Sequence, residues 1–146
     1  MKWAAGIALL LLMGGCSTVE NARARLVRPP ATCADQTVSI YFEADSAELT
    51  REGRMLIAQA ASATAGCRVA SVDVLGLADA VGTPAANLEL SKKRAEAVAQ
   101  ALSANGLPAA EFRVGAAGDA GALTAKGQAR PLRRRVDVTV HLAGRN

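Results

Sequence analysis

Apolar and polar positions change period several times along this chain, and each change marks an element. Val38, Ile40 and Phe42 alternate with Thr37, Ser39 and Tyr41, the two-residue period of a half-buried strand. Thr50 offers a helix cap with Glu52 in the first turn, and the helix it opens runs through Met55, Leu56, Ile57 and Ala60 to about residue 65, where Gly66 ends it. A second strand is expected over about residues 70–75. A second helix follows over about 86–105, with Leu88, Ala95, Val98 and Leu102 on its core side and Gly106 and Pro108 as its stop. Residues 112–116 fit a third strand, and the Gly- and Ala-rich stretch 115–127 reads as a loop. Val136, Val138 and Val140 face inward from a last strand, with Asp137, Thr139 and His141 outward. The order β-α-β-α-β-β predicts an α/β (α+β) sandwich, two helices packed on one face of a mixed four-stranded sheet.

The N-terminus is organised differently. Lys2 precedes an apolar run over residues 4–13 that is too short to span a bilayer as a helix, which favours a signal peptide. Gly14-Gly15-Cys16 resembles a bacterial lipobox, with Met13 where Leu is usual. The resemblance implies that Cys16 becomes a lipidated N-terminus, and Ser17, in place of the inner-membrane Asp, implies the outer membrane. An ordinary secretory signal with an incidental Cys16 is the alternative. The expected organisation is a signal over 1–15, a lipidated N-terminus and polar, basic tether over 16–35, and a folded domain over 36–146.

Composition adjusts this picture in three ways. Aromatic residues are only 3% of the chain, so the core is aliphatic. The balance of 17 basic and 13 acidic residues gives a net charge of +4, but an exported chain without aromatic stacking residues is a poor nucleic-acid binder. With Cys16 assigned to lipid, Cys33 and Cys67 remain as an even pair in an oxidising compartment. In a β-α-β unit both fall at one end of the sheet, so a disulfide is expected, with two free thiols as the alternative. The only histidine is His141 and no C-x-x-C occurs, so neither a metal nor a cofactor is expected.

Residues 76–95 carry the chemistry. Asp79 follows the second strand, and Asn87, Ser91 and Arg94 recur at offsets of four and seven on one helix face. A carboxylate at a strand end and a guanidinium on the next helix form a two-pole receptor, suited to a ligand end bearing an ammonium and a carboxylate. On spacing alone a structural Asp79–Arg94 ion pair fits equally well. Gly76, Asp79, Gly82, Asn87, Leu90, Ser91, Arg94 and Ala95 together resemble the signature of the OmpA-like peptidoglycan-binding domain family, with Leu77 at the usual His. The resemblance covers about residues 36–142 and implies the same fold.

The family ligand is the peptidoglycan stem peptide, held by diaminopimelate. The resemblance gives Asp79 the ammonium, Arg94 the carboxylate, Asn87 a supporting role (a helix cap is the alternative) and Asp45 an approach from the first loop. Arg134, Arg135, Val136 and Asp137 match the family's N-R-R-V-[DE] in part, with Arg133 at the Asn. This makes Arg134 and Arg135 candidate contacts, or else a solvated basic face. No G-x-S-x-G, H-E-x-x-H or Cys–His pair is present, and an Asp45–Asp79 hydrolytic dyad has nothing to raise either pKa, so no enzyme is expected. The implied protein is an outer-membrane lipoprotein facing the periplasm and binding the cell wall. The alternative is a component of a trans-envelope machine (secretion or Tol-type) working mainly through contacts with other envelope proteins.

Overall fold

The computed structural model describes residues 33–108, 111–128 and 133–145. The expected signal and most of the tether, including Cys16, lie outside the described residues, as do Pro131 and Leu132. Strands β1 (Gln36–Tyr41), β2 (Cys67–Leu77), β3 (Phe112–Ala116) and β4 (Arg135–Arg145) form one sheet, and helices α1 (Arg51–Ala63) and α2 (Pro84–Ala104) connect its first three strands. The spatial order is β1-β4-β2-β3, with β4 antiparallel to both neighbours and β2 parallel to β3. The expected mixed four-stranded sheet with its two helices is therefore the observed fold.

Local chemistry sets the element ends. Thr50 Oγ1 accepts from Gly53 N at 2.9 Å, and Thr83 Oγ1 accepts from Ala86 N at 3.2 Å, with Pro84 in the first helical turn. Helix α2 closes on Gly106 in the left-handed region (φ 97°): Leu107 N donates to Leu102 O at 3.2 Å and Gly106 N to Ser103 O at 3.0 Å. That turn carries Leu107 back into the core beside Leu102. The core is aliphatic, built from Ile40, Ile57, Val72, Val74, Val98, Leu102 and the three inward valines of β4, with Phe42 as its one fully packed aromatic among the described residues.

One helix face differs from expectation. Leu88 is 47% exposed, whereas Asn87, Ser91, Arg94, Ala95, Val98 and Leu102 form the buried stripe. The cause is a backbone approach. A Cβ on Gly76 would lie 1.9 Å from Ser91 O, and one on Gly118 would lie 3.1 Å from Leu88 N, so two glycines admit the helix backbone against β2 and the loop after β3. The helix face turned inward there is the polar one, and its side chains are satisfied by hydrogen bonds.

Cys33 and Cys67 are joined by a disulfide with a Cα–Cα distance of 5.7 Å. It ties the chain before β1 to the first residue of β2. On the outer face of the sheet, His141 bridges Asp35 (Nδ1–Oδ2 2.7 Å) and Asp73 (Nε2–Oδ2 3.2 Å), and Asp73 is also held by Arg113. His141 is thus a half-buried surface residue with two ionic partners. Hydrogen bonds from Asp35 and Asp73 raise its pKa above the ordinary imidazole value.

Candidate functional site

Strands β1, β2 and β3 run in the same direction and β4 runs against them. One pole of the sheet therefore gathers the exits of three strands and the entry of the fourth, together with the N-terminus of α2. In open α/β sheets this carboxyl-end pole is where ligands bind. The candidate residues Asp45, Asp79 and Arg134 lie on these segments and Asn87 near the start of α2, while Arg94 reaches the same pole from the middle of that helix.

Arg94 is the keystone of this pole and is 0% exposed. Its Nε donates to Ser46 O at 2.8 Å, Nη2 to Glu43 O at 3.0 Å and Nη1 to Leu77 O at 3.4 Å, while its guanidinium lies 5.3 Å from the centre of the Phe42 ring. One side chain thus knits the loop after β1 to the end of β2. Burial pushes its pKa below the ordinary arginine value; Asp79 and Asp45 oppose that shift, and Arg134 adds to it. These four groups therefore share one electrostatic neighbourhood, with Arg94 at its floor. In this arrangement the carbonyls of Glu43 and Ser46 occupy the Nη2 and Nε directions of the guanidinium.

The rim is more open. Asp79 Oδ1 accepts from Val81 N at 3.3 Å, and Oδ2 lies 4.0 Å from Arg134 Nε, the Arg134 side chain being 42% exposed. Asp45 is exposed and holds a left-handed backbone (φ 51°) in the loop that Arg94 organises. Asn87 is 4% exposed; its Nδ2 donates to Asp79 O and to Asp119 Oδ2, each at 3.2 Å. Thr83, not Asn87, caps the helix. Arg135 is set apart from this group: it lies on the outer face, where Nε donates to Asp137 Oδ1 at 2.7 Å. Burial alone would raise the Asp137 carboxyl, but hydrogen bonds from Arg135 and Ser39 outweigh it and hold the pKa below the ordinary value.

Sequence reasoning missed the contribution of the loop after β3. Ser91 Oγ accepts from Gly118 N at 3.0 Å and donates to Leu88 O at 2.8 Å, and Gly118 O accepts from Ala78 N at 2.7 Å. Arg133 donates from Nη2 to Ala120 O, clasping the same loop from the other side. These bonds seat Asp119 beside Asn87. The topological rule that singled out Asp45 and Asp79, a carboxylate just beyond a strand, applies equally to Asp119.

A hollow of ≈ 720 Å³ lies at the opposite pole, between the C-terminal ends of the helices and Cys67. Its lining is mostly small residues with Arg68 as the one charge, and it shares no residue with the cleft.

Known proteins resemble this chain over the same stretch. The model of the OmpA family matches residues 41–135, which include Asp45, Asp79, Asn87, Arg94, Asp119 and Arg134. Outer membrane protein A of Yersinia pseudotuberculosis is 34% identical over 115 residues, covering 72% of this chain but 33% of that protein, so the chain spans about a third of that relative's length. The solved structure of the peptidoglycan-associated lipoprotein from Burkholderia pseudomallei is 28% identical with a TM-score of 0.55, covering 70% of this chain and 89% of that one. The cell wall anchor of the T6SS from Pseudomonas aeruginosa is 26% identical with a TM-score of 0.58, covering 85% and 93%.

Proposed function

The chain belongs to the OmpA family, and on that premise we propose that it is a non-catalytic outer-membrane lipoprotein, lipidated at Cys16, whose periplasmic domain holds the cell wall by the diaminopimelate end of the peptidoglycan stem peptide. The observation that carries this reading is the opposed pair at the cleft rim, Asp79 beside an exposed Arg134. An ammonium and a carboxylate on one carbon match such a pair in charge and spacing. Asp79 accepts from the ammonium. Arg134 takes the carboxylate, and Arg94 attracts it from below, contacting it only if Glu43 or Ser46 releases a donor. Asn87 fixes the Asp79 backbone and Asp45 closes one side, while Arg135, paired with Asp137 on the outer face, is left out of the contact set. The similarity to a peptidoglycan-associated lipoprotein supports the same ligand and the same tethering role.

A second reading, a component of a trans-envelope machine working mainly through protein contacts, draws on the likeness to the secretion-system cell wall anchor. Both readings are tested by incubating the full chain, in mild detergent, with purified sacculi and sedimenting. Wild type should pellet, and Asp79→Ala and Arg134→Ala should shift to the supernatant. Wild type left in the supernatant would overturn the clamp and favour the second reading. Release of soluble muropeptides would overturn the non-catalytic claim.

A further inference from the structure

We propose that Asp119 is a second ammonium-binding residue of the cleft, acting with Asp79 on the same cationic end of the ligand; this rests on the reading given above. Asp119 and Asp79 flank one buried amide, since Asn87 Nδ2 donates to both residues. Charge bookkeeping around the domain separates Asp119 from most other aspartates. Asp35 and Asp73 face His141, Asp73 also faces Arg113, Asp137 faces Arg135, and Asp79 faces Arg134. Among the described residues Asp119 forms no ion pair, and the one side-chain partner of its carboxylate is the neutral amide of Asn87.

The backbone that carries this carboxylate is nonetheless held in place. Ala122 N donates to Asp119 O at 2.8 Å, and Ala122 is buried. Gly118 is fixed to Ser91 and Ala78, and Arg133 grips Ala120 rather than neutralising Asp119. A half-buried carboxylate whose one side-chain partner among the described residues is a neutral amide is left un-neutralised for a cation that a ligand brings. An ammonium has three donors and no acceptor, so a site reading it well offers more than one acceptor. When a ligand carboxylate draws Arg134 toward itself, Asp79 and Asp119 both become available to the adjacent ammonium. The ligand class is an amino acid end with a free primary ammonium, and Asp119 discriminates it from an acylated one.

The test uses the full chain in mild detergent, with sacculi either untreated or acetylated at their free amines. Asp119→Asn keeps the shape and the acceptor oxygen for Asn87, and its melting temperature is measured alongside. The expected result is about fivefold weaker binding to untreated sacculi. On acetylated sacculi variant and wild type should be equal, whether weak or undetectable. Equal binding to untreated sacculi overturns the proposal, as does the same fractional loss on acetylated sacculi, which would mark a structural role. If Asp79→Ala loses binding while Asp119→Asn keeps it, this inference fails and the peptidoglycan reading stands. If wild type does not bind untreated sacculi, both fail.

Discussion

Replacing Arg94 by lysine keeps the positive charge beneath the cleft but removes the fork that organises it. The guanidinium serves three backbone carbonyls on two segments, those of Glu43, Ser46 and Leu77. A single ammonium at the end of a lysine chain reaches one of these sites, so two acceptors lose their charged donor. Each such loss in a part-buried setting costs about 1–1.5 kcal/mol, and the stack on Phe42 contributes about 0.5–1 kcal/mol more. The sum is about 3 kcal/mol. For a domain of this size each kilocalorie lowers the melting temperature by roughly 4–8 °C, so Arg94→Lys should melt more than 10 °C below wild type with no ligand present. Calorimetry on the oxidised protein reads this directly. A shift smaller than about 3 °C, combined with lost binding to sacculi, would refute the scaffold role and make Arg94 a dedicated ligand contact.

The remaining expectations concern the supports of the cleft. Gly76→Ala places a Cβ 1.9 Å from Ser91 O, a backbone atom, and should cost about 3 kcal/mol in urea unfolding. Gly66→Ala, with φ 81° but nothing within 4 Å, should cost only about 1 kcal/mol, and similar midpoints for the two variants would count against the close-approach argument. Replacing Cys33 and Cys67 by serine should lower stability by about 3–4 kcal/mol without altering ligand binding, because the bridge lies at the other pole. The His141 pKa is raised, so its contribution is present in full below the unfolded imidazole value and fades as pH climbs through the folded one. Asp35 and Asp73, both with lowered pKa values, remain ionised in that range. The melting temperature of His141→Gln should therefore fall further below wild type at pH 5.5 than at pH 8.5, and a gap that widens with pH would contradict the bridge.

Much of the fold was legible because its signals are side-chain patterns. The alternation of Val136, Val138 and Val140 gives the β4 inner face, each residue being fully buried, and Thr50 caps α1 as its position suggests. Leu88 misled because periodicity assumes that the apolar stripe turns inward. Here Gly76 and Gly118 bring the backbone so close that a polar stripe is buried and satisfied instead. The role of Arg94 was half visible: its position beside Asp79 follows from spacing, but its acceptors are main-chain carbonyls that no residue pattern announces. Arg135 had its explanation two residues away, on the same strand face, in Asp137. Asp119 was hidden as a lone acid in a Gly- and Ala-rich loop, where composition suggested nothing but a turn.

On the proposed function, the two poles of the sheet separate attachment from recognition. Cys33 joins Cys67 at the start of β2, while Leu77, at its end, gives its carbonyl to Arg94 beneath the cleft. An eleven-residue strand separates these points by about 35 Å at the usual rise per residue. The disulfide makes that separation permanent, because the chain before β1 cannot peel away from the strand it is bonded to. Any pull applied through residues preceding Cys33 therefore divides between β1 and the first residue of β2, and both strands are paired with β4. The candidate cleft lies at the far end of the same strand, away from the bridge. A bridge placed at the cleft pole would have drawn the load through the loops that Arg94 and Ser91 hold, and those rest on a few hydrogen bonds rather than on a strand ladder. Under the proposed tethering role, the position of the bridge would let the domain carry tension while the loops around Asp79 and Asp119 keep their geometry.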